Sequence, residues 1–215
     1  MIGDTEDMTD YLEQFDTEAQ EYGLPKSSGL VIGSGSLAYR VKEMTGEEPF
    51  PVTDLDLYMT DDDFVDAMAQ TPYGTRFEDR RFGGGAYRLG EDRDPLPESI
   101  SSWDVHQGEL SEGPVIDVMT RMDNTDIEWQ LRAELGNELG DDLGMDHIDL
   151  RVITLTTFMD TKEGSKRAKD RYHKRLADSL LESSYPSYVT DEWKDEFVIP
   201  TDFDAARRDQ FMDEF

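Results

Sequence analysis

The chain has 215 residues, with 50 acidic against 21 basic side chains, a formal net charge of −29 and no cysteine. The absence of cysteine excludes disulfides, zinc ribbons and thiol catalysis. A net charge of this sign opposes nucleic-acid binding, unless it is a background set by the solvent.

The dispersion of the acids favours the solvent explanation. Acidic residues are spread over the whole chain, and only seven of the basic residues are lysine. This composition is typical of a protein from the cytoplasm of a high-salt organism, where salt screens the repulsion between surface carboxylates. No apolar stretch is long enough to span a membrane, and the first residues lack the pattern of a signal peptide, so we expect no membrane partner.

Apolar periodicity and turn residues predict alternating helices and strands. In the first seventy residues these are a helix at 9–21, a strand at 28–32, a Gly-Ser loop at 33–36, a helix at 37–44, a strand at 52–59 and a helix at 61–70. Next come one or two strands with a glycine turn at 76–89, a loop at 93–102, strands at 105–109 and 115–119 joined by a hairpin, a helix at 125–139, a strand at 148–153 and a helix from 155 to about 181.

This order of elements predicts an α+β fold, in which helices flank a mixed β-sheet. We expect one domain over residues 1–182. An acidic, aromatic C-terminal extension at 183–215 follows it, and its aromatic side chains suit the docking of a partner.

Three aspartates stand inside otherwise apolar strands: Asp54, Asp56 and Asp117. The two-residue spacing places Asp54 and Asp56 on one face of their strand, where they repel each other unless a cation or a proton lies between them. Mg²⁺ or Mn²⁺ takes such oxygen ligands, and a third aspartate on a neighbouring strand completes a two-metal site for displacement at phosphorus. The alternative is that alternating acids mark the solvated face of an edge strand.

Two further segments favour phosphate chemistry. A strand that turns through Gly33, Ser34, Gly35 and Ser36 into a helix offers backbone N–H groups and hydroxyls to an anion, although Gly-Ser turns are common. Residues 162–175 hold seven basic and two acidic side chains, a net charge of +5 in an otherwise acidic chain. This segment is either a phosphate-facing helix or a helix whose cations pair with the acidic surface.

The run from Val31 to Ala38, followed by Thr53-Asp54-Leu55-Asp56-Leu57, resembles the nucleotidyltransferase superfamily, which has the DNA polymerase β-like fold. The pattern looks most like the compact prokaryotic branch that includes the AbiEii-type toxins. Val115-Ile116-Asp117-Val118 matches the third-carboxylate strand, and Leu155 to Asp170 resembles the branch's later motif. The gap between Ser36 and Asp54 is longer than usual, and the last 40 residues match nothing in the family.

The resemblance implies a role for each matching residue. Asp54 and Asp56 would bind both metals, and Asp117 would complete the site and favour deprotonation of the acceptor hydroxyl. The implied nucleotide-binding residues are Gly33, Ser34, Gly35, Ser36, Lys162 and Lys169, with Ser36 and Gly35 on the β- and γ-phosphates. For Lys169, an internal ion pair with Asp170 is the alternative.

Three functions stay open at this point. The first is an Mg²⁺- or Mn²⁺-dependent nucleotidyltransferase that moves NMP from an NTP to an RNA end, a protein hydroxyl or a small molecule, as a toxin with an antitoxin partner or in another defence system. The second is a protein of the same fold without catalysis, used as a binding or structural module in a virion or a mobile-element complex. The third is an acidic mimic of nucleic acid, which the basic segment at 162–175 opposes. The first implies a place in the cytoplasm, the second a place in a virion.

Overall fold

The structure, a computed structural model, describes residues 5–46, 50, 52, 55–78, 83–90, 93–101, 114–165 and 167–182. The helices in these ranges are α1 (Thr5–Glu21), α2 (Gly33–Thr45), α3 (Asp62–Met68), α4 (Thr125–Gly136), α5 (Leu155–Thr161) and α6 (Ala168–Glu182). The strands are β1 (Ser27–Ile32), β2 (Leu55–Met59), β3 (Gly74–Phe77), β4 (Gly84–Arg88), β5 (Ser99–Ile100), β6 (Val115–Met119), β7 (Asp141–Asp142) and β8 (Ile148–Val152).

The strands form one mixed sheet in the order β5-β3-β4-β6-β2-β1-β8-β7. β1 pairs antiparallel with β2 and parallel with β8, while β2 pairs parallel with β6. The strands β6, β2 and β1 therefore lie side by side at the centre of the sheet. β6 and β2 carry the predicted carboxylates, and β1 leads into the Gly-Ser segment. The predicted α+β fold, a mixed sheet with flanking helices, is confirmed for the described residues.

Helix α1 shows why these residues fold as they do. Its buried apolar side chains are Met8, Leu12, Phe15 and Ala19, at the three- and four-residue spacing that makes one apolar face. The Phe15 ring meets the Phe64 ring edge-on, with centroids 6.1 Å apart. This face closes the main core, in which side chains from all the described helices pack against the central strands.

The prediction of a loop at residues 33–36 is wrong. β1 passes directly into α2, and Gly33 is already the first helical residue. The turn is tight because Gly33 has a φ of +66°, a conformation in which most other residues are strained. Helix α2 ends at Thr45 and is followed by the C-cap residue Gly46, whose φ is 75°.

Other differences concern the ends of elements. The helix predicted at 125–139 is capped by the side chain of Asn124 and ends at Gly136, and Leu139 is half-exposed beyond it. The predicted helix from 155 to 181 is broken between Thr161 and Ala168. The region 93–102, predicted as a loop, contains the short strand β5.

Some predictions fall outside the described residues. They concern the strand at 105–109, the hairpin turn at 111–113, Asp54 and the C-terminal extension at 183–215. In the part of the chain that is described, no helix combines the length and the apolar character needed to cross a membrane.

Candidate active site at the shared end of three central strands

The sheet brings two of the predicted carboxylates side by side. Asp56 of β2 is in register with Asp117 of β6, its parallel neighbour. Register partners in a sheet point to the same face, and their Cβ atoms lie about 5 Å apart. On both strands the aspartate alternates with core residues, which for β2 are Leu55 and Leu57. The two carboxylates therefore lie on the opposite face of the sheet from Leu55 and Leu57, the face that also carries Ile32 and Tyr58.

Both carboxylates are withdrawn from solvent. Asp117 is only 3% exposed and has Ala86 of β4 as its other register partner. Asp56 is partly buried, and the Oδ1 atoms of both aspartates are shielded from water. Two adjacent carboxylates in such surroundings repel each other unless a cation or a proton lies between them. The arrangement does not fit the solvated edge strand that was the alternative, because β2 is central and both residues are largely enclosed.

The first turn of α2 lies against Asp56. Ile32, the last residue of β1, is in register with Asp56, and Gly33 follows it. A Cβ at position 33 would overlap Oδ2 of Asp56, so glycine is needed here for its small size as well as for its φ. The N-cap residue of α2 is Ile32, whose apolar side chain makes no capping hydrogen bond, and the first turn of the helix contains no acidic residue. The positive end of the helix dipole therefore faces the carboxylate site.

The other members of the Gly-Ser segment differ in their surroundings. Ser34 and Ser36 are buried, and the Ser36 hydroxyl donates to the Gly33 carbonyl at 2.9 Å. A Cβ on Gly35 would lie 3.1 Å from the Met8 sulfur and 3.6 Å from the Leu55 side chain, so Gly35 allows close packing of α2 on α1 and β2. Contact of these residues with phosphates stays a prediction.

The basic segment packs beside α2. Both α5 and α6 contact α2, and the His173 ring of α6 stacks on Phe50, just ahead of β2, with centroids 4.6 Å apart. Lys162 follows the last residue of α5, and its ammonium lies 3.2 Å from Asp170 of α6. Lys169 is partly buried on α6. The predicted position of Lys162 or Lys169 across a cleft from the carboxylates stays a prediction.

The described residues contain no group of three or more histidine, aspartate or glutamate side chains that converge as metal ligands. Asp54 lies outside them, so the convergence of three aspartates also stays a prediction. The described surface has an open cavity of about 300 Å³ at the other end of β1 and β8, between Lys26 and His147, well away from the carboxylates.

Two residues that support the site carry no recognisable signal in the sequence. Glu134 of α4 is 2% exposed, and its carboxylate accepts the backbone N–H of Thr154 at 2.5 Å, at the start of α5. Arg40 of α2 donates to the carbonyls of Val152 and Ile153 at 2.7 and 3.0 Å. Together they fix the exit from β8. Their partners are distant in the chain, so only the folded structure identifies them.

Comparison with known proteins adds one likeness. No protein-family model matches the chain, and no curated protein matches it significantly. Among solved structures, the chain is similar to an antigenic nucleotidyltransferase-like protein from Paracoccidioides brasiliensis. The two share 9% sequence identity over 80% of this chain and 75% of the other, with a TM-score of 0.43. A likeness of this degree carries no argument about function.

Proposed function

We propose that this chain is a divalent-metal-dependent nucleotidyltransferase, which moves NMP from an NTP to an acceptor hydroxyl. The observation that carries the proposal is the register pairing of Asp56 with Asp117, both withdrawn from solvent, beside the N-terminus of α2. Carboxylates and a helix N-terminus at one place suit a substrate that combines a metal ion with phosphates.

The donor set fits Mg²⁺ or Mn²⁺. These ions prefer hard oxygen ligands, and the Oδ1 atoms of Asp56 and Asp117 supply two such oxygens in a position shielded from water. Asp54 is the third proposed ligand, from the strand spacing alone. When bound, the metal supplies positive charge at the oxygens around the reacting phosphorus.

The chain's own groups have separate tasks in the proposed reaction. The acceptor oxygen forms a bond to the α-phosphorus, the bond from that phosphorus to the bridging oxygen breaks, and pyrophosphate leaves. Asp117 favours removal of the proton from the acceptor hydroxyl. The N–H groups at the start of α2 bind the phosphates, and Lys162 and Lys169 balance the charge of the departing pyrophosphate.

The acceptor in this proposal is an RNA end, a protein hydroxyl or a small molecule. A role as an AbiEii-type toxin, with an antitoxin as partner, is a narrower form of the same proposal. It rests on the order of the four motifs between residues 30 and 175. The dispersed acidic composition bears only on the setting, which we propose is a high-salt cytoplasm.

The test is transfer of label from each of the four α-³²P-labelled NTPs in molar KCl, with Mg²⁺ or Mn²⁺, onto total RNA or protein. We expect a labelled product with wild type and a loss of roughly 100-fold or more in Asp56→Asn and Asp117→Asn. Asp149→Asn is the matched control, because Asp149 is an exposed strand aspartate at the other end of β8. Wild type that forms no product with any NTP, and binds none in a metal-dependent way, contradicts the proposal.

A further inference from the structure

A buried carboxylate organises the break between α5 and α6. Asp170 is 3% exposed, and its Oδ1 receives the Lys162 ammonium at 3.2 Å and an Arg167 guanidinium N–H at 3.1 Å. Its Oδ2 accepts a second guanidinium bond from Arg167 at 2.7 Å and the Ser165 hydroxyl at 2.6 Å. Both oxygens therefore bind groups from the connection that breaks the predicted long helix.

The groups around Asp170 keep its carboxylate ionised. Burial alone would raise its pKa, but the bonds from Arg167 and Ser165 and the positive charge of Lys162 hold the pKa of this carboxyl well below its usual range. The carboxylate is therefore ionised at neutral pH.

The two cations are held differently. The Lys162 side chain is 15% exposed, whereas that of Arg167 is 52% exposed. An ammonium has three N–H donors, and its contact with Asp170 leaves donors for another acceptor. Lys162 is therefore held in one place with bonding capacity to spare, while Arg167 covers the carboxylate from the solvent side.

We propose that Asp170 is a positioning residue, which fixes the Lys162 ammonium so that it is ready to bind the triphosphate. This inference rests on the proposed function. It assigns to Asp170 an effect on phosphate binding that acts through Lys162. A lysine on a flexible connection would have to be ordered at the moment of binding, and that ordering lowers affinity.

The test is a double-mutant cycle on binding of inorganic tripolyphosphate, measured by calorimetry with Mg²⁺ in molar KCl. We expect Lys162→Gln and Asp170→Asn each to weaken binding by about tenfold. The double variant should then bind no more weakly than Lys162→Gln alone, because Asp170 acts through the lysine. Asp170→Glu keeps the charge but displaces it, and should lose affinity with the same coupling. This variant keeps the test valid if Asp170→Asn does not fold.

Arg167→Gln is the control for a merely structural role. It removes two bonds to Asp170 but leaves the contact with Lys162, so it should lower the unfolding midpoint and leave tripolyphosphate binding within about twofold. Independent losses from Lys162→Gln and Asp170→Asn would overturn the inference, as would an Asp170→Asn variant that is folded and binds like wild type. Wild type that does not bind tripolyphosphate contradicts the phosphate role of Lys162 in the proposed function, and the inference falls with it.

Discussion

Acidification should destabilise the fold through one residue, His173. Its side chain is fully buried on α6 and stacks on Phe50 at an interplanar angle of 20°. Neither ring nitrogen has a hydrogen-bond partner within the described residues. Burial, followed by the positive charges of Lys169 and Lys162, lowers the pKa of His173 to about 3, although Asp170 acts in the opposite direction. The folded protein therefore keeps this imidazole neutral.

The sign and size follow from proton linkage. An unfolded chain binds a proton at His173 near pH 6.5, whereas the folded chain does not do so until pH about 3. The contribution to stability is therefore complete above pH 6.5 and is lost as the pH falls toward 3. Between pH 7 and pH 5 the free energy of unfolding should decrease by about 2 kcal/mol from this residue alone.

Urea unfolding at pH 7 and pH 5, at constant KCl concentration, measures this loss. His173→Phe is the comparison, because it keeps a ring against Phe50 and removes the proton-binding nitrogens. Protonation of the many carboxylates also changes stability over this range, but it does so equally in both proteins. We expect wild type to lose about 2 kcal/mol more than the variant. Equal pH dependence in the two proteins would refute the reasoning.

Three further predictions concern other parts of the molecule. Gly33→Ala should abolish label transfer and lower the free energy of unfolding by about 2 kcal/mol or more, because the added Cβ meets Asp56. Gly46→Ala is the control, since Gly46 has a similar φ but open space around it. It should lower the free energy of unfolding by about 1 kcal/mol in urea unfolding and leave transfer intact. Glu134→Ala should lower the free energy of unfolding by about 2 kcal/mol, since it removes the acceptor of the Thr154 N–H; an unchanged urea midpoint would contradict this. Lowering KCl from molar to about 0.1 M, where the Debye length grows to about 10 Å, should lower the thermal midpoint because of the −29 net charge; a midpoint independent of KCl would argue against the solvent explanation of that charge.

The sequence predicted the elements that have their own periodicity or turn chemistry. β1, β6 and β8 were predictable as short apolar runs, and α3 as a helix with acidic residues in its first turn, although Asp61 is its N-cap and not its first residue. β5 was missed because two residues cannot show a period. The passage of β1 into α2 without a loop was missed because it depends on the positive φ of Gly33, which turns the chain sharply from strand to helix and leaves no sign in the periodicity.

The candidate site was predictable as a set of residue types but not as an arrangement. Acidic residues inside apolar strands identified Asp56 and Asp117, yet their register depends on β6 pairing with β2, a contact between distant segments. The partners of Asp170 lie three to eight residues before it in the chain, but they were not predictable because the sequence predicted one continuous helix through them. An ion pair of Asp170 with the adjacent Lys169 was the alternative that the sequence left open. The ion pair with Lys162 exists because the chain breaks between α5 and α6 and folds back on itself.

The central claim is that Asp56 and Asp117 jointly hold a divalent metal with a nucleotide. Electron paramagnetic resonance of Mn²⁺, titrated into the protein with and without ATP, GTP, CTP or UTP in molar KCl, measures the bound ion directly. We predict a bound Mn²⁺ signal that strengthens with at least one of these NTPs, is lost in Asp56→Asn and Asp117→Asn, and persists in Asp149→Asn. A signal that is equal in wild type and in the Asp56 and Asp117 variants would contradict the claim.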